Sequence, residues 1–160
     1  IIIPRHIERV KKIELFCKKL NLKSQILSNA EIINPEKDVI IINSYGVISN
    51  YLSFCKSVFI GKSMNEKLKQ VGGQNPVEAA KLGCKIYHGP YIYNFKEIYE
   101  LLNKHNISEQ IINEDELAIK IIDDLNKKNE IQNNQINLIN NLGEEVLNNT
   151  YNELNKIIAK

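Results

Sequence analysis

Two rhythms of apolar residues run along this chain. Val39-Ile40-Ile41-Ile42 is an unbroken apolar run of strand length, the pattern of a strand covered on both faces in a parallel sheet. Ile1-Ile2-Ile3 reads as the end of another buried strand, closed by Pro4, and places Arg5 at a strand tip. Ser24–Leu27, Val58–Ile60, Lys85–His88 and Gln110–Ile112 predict further short strands. Between these segments the spacing becomes helical. Ile7, Val10, Ile13, Phe16, Cys17 and Leu20 recur at helical intervals while Lys and Glu fill the other face, which predicts an amphipathic helix over 7–20. Helices are also predicted over 47–55, 115–127 and 132–158, the last rich in Asn. The segment from Lys62 to Val71 is a long polar loop, a length that in a compact domain points to a mobile or functional element.

Strands alternating with helices argue for an α/β, Rossmann-like, open and mostly parallel sheet with flanking helices, followed by a helical C-terminal tail. We expect a core over 1–113 and helices over 114–160 that pack on it or on another domain. Ligands of such sheets bind outside the carboxyl ends of the strands. Arg5, Tyr45-Gly46, Gly72-Gly73 and Asn94 all fall at such ends, so they are expected to converge.

The richest stretch is Gly72-Gly73-Gln74-Asn75-Pro76-Val77-Glu78. Two glycines leave the backbone bare where a phosphate could approach, and a helix then opens with Asn75 as its cap, Pro76 at the first position and Glu78 at the third. Gly83 stops that helix, and after Lys85–His88 and the turn at Gly89-Pro90 the Asn-x-x-Glu spacing returns at Asn94 and Glu97, predicting a second capped entrance. A glutamate at the third helical position is a capping acid whether or not a ligand exists, and spacing alone favours that role for Glu78. The glycine pair is what points beyond capping, because consecutive glycines cost conformational entropy and imply that something comes close to the backbone.

Composition narrows the function. A net charge of +2 over 160 residues, with scattered lysines, does not make a nucleic-acid surface. Lys11-Lys12 and Lys18-Lys19 read as the solvated face of the first helix, with a weak contact to anionic lipid as the other option. Cys17, Cys55 and Cys84 fall in apolar contexts and read as buried thiols of a reducing compartment. No apolar run reaches membrane-spanning length. Gly61-Lys62-Ser63 has the ending of a phosphate-binding P-loop, but the glycine needed five residues earlier is Lys56, and the motif is rejected. No G-x-G-x-x-G follows a strand, so no nicotinamide cofactor is indicated, and His6, His88 and His105 lack companions at metal-ligand spacing, so we expect no metal and no other cofactor. Asn106-Ile107-Ser108 and Asn148-Asn149-Thr150 match the glycosylation pattern, which carries no meaning in a cytosol-facing protein. Ile1 is not a methionine and Met64 is the only one, so the chain is expected to be a piece of a longer protein.

Taken in order, Pro4-Arg5-His6-x-Glu8-Arg9, the Gly61 to Gly73 loop, Gly72 to Glu78, and His88-Gly89-Pro90 with Asn94-Phe95-x-Glu97 resemble the C-terminal domain of the 3-deoxy-D-manno-octulosonic acid (Kdo) transferases. The likeness covers nearly the whole chain and weakens after about Gln110. It implies a GT-B glycosyltransferase with two Rossmann-like domains, of which the C-terminal one holds the donor CMP-Kdo. Such enzymes move Kdo with inversion onto the lipid A precursor, at the cytoplasmic face of the inner membrane and without a bound metal. By the resemblance, Pro4 and Arg5 would contact the phosphate or carboxylate of CMP-Kdo, and Tyr45, Gly46 and Val47 the cytidine side. Gly72 and Gly73 would leave room for the phosphate, Asn75, Pro76, Val77 and Glu78 would bind ribose and phosphate with Glu78 accepting from the ribose hydroxyls, and Asn94 would complete the set. A guanidinium and helix N-termini suit an anionic donor, and a carboxylate suits a diol.

Departures accompany the match. Gln74 stands where the family usually has His, and Ile42-Asn43-Ser44-Tyr45-Gly46-Val47-Ile48 stands where it usually has Gly-Asp-Thr-Met-Gly-Glu-Leu, so only the glycine and backbone contacts carry over there. The loop after Gly61 is several residues longer than usual. The family's general base is a glutamate of the N-terminal domain, which also holds the acceptor site and membrane anchor. That domain, and the first strand and helix of the C-terminal one with their Ser-Thr-His segment, are expected to precede Ile1. The chain alone is then expected to be soluble but catalytically inactive, and to dimerise or leave a gap in its sheet. Two alternatives stand beside this reading: another GT-B enzyme using a UDP-sugar, and a non-catalytic domain whose helices after Asp115 pack on a partner.

Overall fold

The computed structural model describes residues 1–28, 31–126 and 132–158, and divides into two compact units, Ile1–Asn50 and Tyr51–Lys160, each considered by itself. In the first unit, helix α1 (Val10–Lys19), preceded by a single 3-10 turn at Ile7–Arg9, packs on strands β1 (Ser24–Leu27) and β2 (Val39–Ile42). The strands pair in parallel, Ser24 opposite Val39 through Leu27 opposite Ile42. Val10, Cys17 and Ile41 form the core, with Ile7, Ile13, Ile26 and Val39 against it.

Ile2 pairs with the other edge of β2, donating its N–H to Ile40 O at 2.7 Å while its carbonyl accepts from Ile42 N at 2.9 Å. Covered on both edges, Ile40, Ile41 and Ile42 are buried, as their unbroken run predicts. Ile1-Ile2-Ile3 is not the buried strand end expected of it. It makes one isolated bridge and leaves Ile1 59% and Ile2 40% exposed, and Pro4, which has no N–H to offer a ladder, follows it directly.

Helix α2 (Ile48–Leu52) is shorter than its predicted span of 47–55. The second unit holds the parallel strands β3 (Ser57–Ile60), β4 (Lys85–His88) and β5 (Ser108–Gln110) in the order β3-β4-β5. Helix α3 (Val77–Lys81) precedes β4, α4 (Lys96–Lys104) precedes β5, and α5 (Glu114–Asn126) and α6 (Gln132–Ile158) follow. Successive side chains of β4 point to opposite faces. Ile86 joins Ala79, Ala80, Cys84, Tyr99, Leu102, Ile107 and Ile139 in one apolar cluster, so α3, α4 and α6 build that core. Tyr87 points the other way and donates its hydroxyl to Asp124 Oδ2 of α5 at 2.7 Å. On that same face Glu109 pairs with both Lys85 and Lys120.

β5 lies two residues earlier than the predicted 110–112. Its register is dictated by β4, which sets Ile86 against Ser108 and His88 against Gln110, and its polar residues are satisfied in place: Ser108 Oγ donates to Tyr99 O at 3.2 Å. Cys17 and Cys84 are buried and Cys55 half-buried, all as free thiols. Cys84 Sγ donates to Leu52 O at 3.2 Å, and burial pushes its pKa up to about 12, so it is an inert core group. Among the described residues no helix is long and apolar enough to cross a membrane.

Candidate functional site

The glycine pair sits where two loops of the second unit meet, the one after β3 and the one after β4. Gly73 adopts φ +81°, and a Cβ there would lie 3.1 Å from Ile92 Cα. A Cβ on Gly72 would stand 2.3 Å from the Tyr91 carbonyl oxygen. The backbone that approaches these glycines is therefore the chain's own 91–92 segment, and the fold requires both glycines irrespective of any ligand. Beyond them α3 starts at Val77 with Pro76 at its N-cap, one residue later than expected; Asn75 Oδ1 still accepts from Val77 N at 2.9 Å, with Pro76 buried and Glu78 exposed.

The loop from Lys62 to Val71, expected to be mobile or functional, is tied down at both ends. Ser63 is fully buried: its Oγ donates to Ile60 O and accepts from Gly89 N, both at 2.8 Å, and its carbonyl accepts from Tyr91 N at 2.9 Å. Gly73 N donates to Lys62 O at 2.9 Å. Gly61-Lys62-Ser63, rightly set aside as a P-loop, is a clamp that joins the end of β3 to the turn after β4. Asn94 is not the cap of α4. It lies inside a 3-10 turn, Tyr93–Phe95, and its Nδ2 donates to Val71 O at 3.2 Å, because the turn carries the chain one step further before the helix starts at Lys96.

These loops leave a cleft of about 580 Å³ at the carboxyl ends of β4 and β5, walled by Pro90 to Tyr93 and by one face of α4. His88 lines it, 3% exposed, with its ring 4.3 Å from that of Tyr99. Its Nδ1 lies 2.7 Å from the Gly89 carbonyl oxygen, an acceptor only, so Nδ1 carries the proton. Burial lowers the pKa of this ring, against a smaller upward pull from the Gly89 carbonyl, and favours the neutral form. Lys69, Lys96 and Lys104 stand on the same cleft. Burial also raises the pKa of Tyr99, whose hydroxyl donates to Gln74 O at 3.0 Å and links the cleft to the glycine loop. Sequence reading passed over this cleft and set His88 aside for want of metal-ligand companions, since the lining is gathered from distant parts of the second unit with no common spacing.

In the first unit, Pro4 and Arg5 follow the Ile2 bridge and Tyr45, Gly46 and Val47 follow β2, so both groups lie at the carboxyl end of that parallel pair. The backbone N–H of Ile7, two residues beyond Arg5, lies 3.5 Å from Tyr45 Oη. Gly46 takes φ +74°, the left-handed backbone that its glycine allows. Arg5, Tyr45 and Gly46 are exposed.

No protein-family model matches the chain. Over 132 residues, 82% of the chain, it is 28% identical to the 3-deoxy-D-manno-octulosonic acid transferase of Aquifex aeolicus and 30% identical to that of Rickettsia felis. Kdo transferases of several bacteria are thus among its homologues. The chain spans only 35% of the length of the Aquifex Kdo transferase and 27% of the Rickettsia one. A bifunctional glycosyltransferase/methyltransferase of Fusobacterium nucleatum is also 28% identical over 131 residues, 81% of this chain and 20% of that protein. The fold resembles the crystal structure of the C-terminal CMP-Kdo binding domain of WaaA from Acinetobacter baumannii, with a TM-score of 0.74 over 86% of this chain and 72% of that one, at 24% identity. Parallel sheets with flanking helices and a helical tail are thus the Rossmann-like α/β architecture that the sequence predicts.

The residues singled out by the Kdo-transferase motifs fall into two groups. Gly72, Gly73, Asn75, Pro76, Val77, Glu78 and Asn94 belong to the second unit, where the hydrogen bond from Asn94 to Val71 draws the last of them to the glycine loop. Pro4, Arg5, Tyr45, Gly46 and Val47 belong to the first.

Proposed function

We propose that this chain is the donor-binding part of a Kdo transferase and holds CMP-Kdo. What carries the proposal is that Kdo transferase homologues and a fold like that of a CMP-Kdo binding domain coincide on one chain. Pro4 and Arg5 are assigned to the anionic groups of the donor and Tyr45 to Val47 to its cytidine side. Gly72, Gly73, Asn75, Pro76 and Val77 are assigned to phosphate and ribose, Glu78 to the ribose hydroxyls, and Asn94 to positioning this loop. The exposed Glu78 carboxylate, on the first turn of a helix held by Asn75, supports its part: two vicinal hydroxyls offer two donors to one acceptor pair. The glycine pair no longer adds support, since the 91–92 segment accounts for it.

We further assign to the enzyme an inverting transfer of Kdo to the lipid A precursor at the cytoplasmic face of the inner membrane. The general base, acceptor site and membrane contact of that reaction are assigned to other parts of such an enzyme. The test is an NMR titration of this chain with CMP and, separately, UMP, repeated on Glu78→Gln and Arg5→Gln. CMP is expected to shift the amides of Gly46 and of Gly72 to Glu78 in preference to UMP, and Glu78→Gln to weaken CMP roughly 10-fold through loss of charge-assisted hydrogen bonds. An equal response to UMP would favour a UDP-sugar enzyme, and no response to either from a folded sample would overturn the donor assignment.

A further inference from the structure

Residues 5–23 concentrate the positive charge of this chain. They hold seven of its 21 Lys and Arg but two of its 19 Asp and Glu, a net +5 in a protein of net +2, so the other residues together are acidic. Helix α1 carries much of that charge on one side. Val10, Ile13 and Cys17 turn to the core of the first unit. On the opposite side, at about 100° per residue, Lys12, Leu15, Phe16 and Lys19 stand together, with Lys11 one turn before Leu15. Leu15 is 57% and Phe16 58% exposed, and Leu20, one turn beyond Phe16, is 64% exposed. Leu15 and Phe16 each have a lysine three or four positions away on either side, and Lys19 Nζ lies 5.9 Å from the centre of the Phe16 ring. Lys18 is paired with Glu14 at 3.1 Å, whereas Lys11, Lys12 and Lys19 make no ion pair among the described residues.

We propose that the outer face of α1 is a docking surface for an anionic lipid bilayer, on which the helix lies flat with Leu15, Phe16 and Leu20 entering the headgroup layer. Large apolar side chains set between lysines are what an interfacial helix needs, since the apolar groups leave water while the ammonium groups meet lipid phosphates. The lysine stems extend along the same surface and keep their charged ends at headgroup level. Charge decides between this occupant and the others. A two-fold contact with a second copy would set Lys12 and Lys19 against the same lysines, and a nucleic acid would use the charge but leave Leu15 and Leu20 in water. A bilayer with acidic headgroups accommodates both kinds of side chain. Glu8, in the turn before the helix, is exposed next to an exposed Arg9, which offsets it. This contact lies on the first unit itself, in addition to the membrane contact assigned to other parts of the enzyme, and it does not depend on the donor reading.

The experiment is flotation of the full chain with vesicles of phosphatidylglycerol mixed into phosphatidylcholine, and with vesicles of phosphatidylcholine alone, at low and high salt. The chain is expected to float with the anionic vesicles, to stay behind with the neutral ones, and to lose binding as salt rises. Lys12→Gln with Lys19→Gln is expected to weaken binding roughly 20-fold, and Leu15→Ser with Phe16→Ser on the order of tenfold, each with an unchanged denaturation midpoint. The chain has no tryptophan, so Phe16→Trp supplies a single reporter whose emission is expected to shift to the blue on anionic vesicles. Should the serine variant fail to fold, the lysine variant and the reporter still decide. Equal flotation with neutral vesicles, full binding by the lysine variant, or an unshifted reporter on bound vesicles overturns the proposal. So does full binding by a folded serine variant, which would reduce the contact to charge alone, or a dimer in solution that Phe16→Ser disperses, which would give the face to a second copy. The CMP titration is expected to be the same in all these variants, so the donor assignment stands or falls separately.

Discussion

Asn-x-x-Glu does not have one fate in this chain. Asn75 Oδ1 accepts from Val77 N at the entrance of α3, and at α5 Asn113 Oδ1 accepts from Glu116 N while Glu116 Oε2 accepts from Ile112 N, both at 2.8 Å, one residue off a reciprocal box. Asn94 reaches instead for the carbonyl of Val71, 23 residues away. The spacing is local and the partner is not, which is why two of these outcomes follow from sequence rules and the third does not. Gly72 carries the same lesson. With a Tyr91 oxygen 2.3 Å from a new Cβ, Gly72→Ala is expected to lower stability by about 2 kcal/mol or more, measured by urea denaturation, with or without CMP. A Gly72→Ala variant of unchanged midpoint would mean that the 91–92 segment gives way easily, and would return the glycine pair to the ligand argument.

Strand β5 was mislocated because the rule for strands looks for apolar side chains, and Ser108-Glu109-Gln110 has none. As the edge of its sheet it can carry polar residues, provided each finds a partner. Glu109 does so from both sides, and the hydrogen bond from Lys120, reinforced by the nearby Lys85, keeps its carboxyl below the ordinary value despite partial burial. The same face holds α5 through Tyr87 and Asp124. Tyr87→Phe removes a hydrogen bond to a carboxylate and is expected to cost about 1 to 2 kcal/mol, with faster amide exchange over Glu114–Asn126 than over α4. Uniform loss of protection across both helices would show that α5 is not held by this bond. α6 behaves differently along its length: Leu138, Ile139 and Leu142 pack on the core, whereas Val146, Leu147, Tyr151, Leu154, Ile157 and Ile158 are exposed.

For the molecule as a whole, both groups with clear acid-side linkage have depressed pKa values. His88 is lowered from its ordinary 6.5 by burial, against a smaller upward pull from the Gly89 carbonyl, and Glu109 from 4.5 chiefly by the hydrogen bond from Lys120. A depressed pKa means that the unfolded chain binds more protons, so the stabilisation is present above the unfolded value and is lost as pH falls through the folded one. Stability is therefore expected to decline first below about pH 6.5, from His88, and again below about pH 4.5, from Glu109. Denaturation midpoints from pH 8 to 3 check this; Lys120→Met should reduce only the lower step, and a flat profile between pH 7 and 5 would exclude the His88 contribution. Much of the architecture was legible beforehand: Ser24–Leu27, Val39–Ile42, Lys85–His88 and the span of α6 were read within a residue or so, and the ordered motifs pointed to Kdo transferases. Those features rest on contacts two to four residues apart, or on short patterns, and such information is carried by neighbours along the chain. The tertiary structure alone decided that the glycines are pressed by Tyr91 and Ile92, that Ser63 clamps two strand ends, that Ser108–Gln110 pairs with β4, and that the buried His88 lines a cleft. Each of these depends on distant segments brought within a few ångströms, where hard-sphere contact and hydrogen-bond satisfaction act without regard to sequence separation.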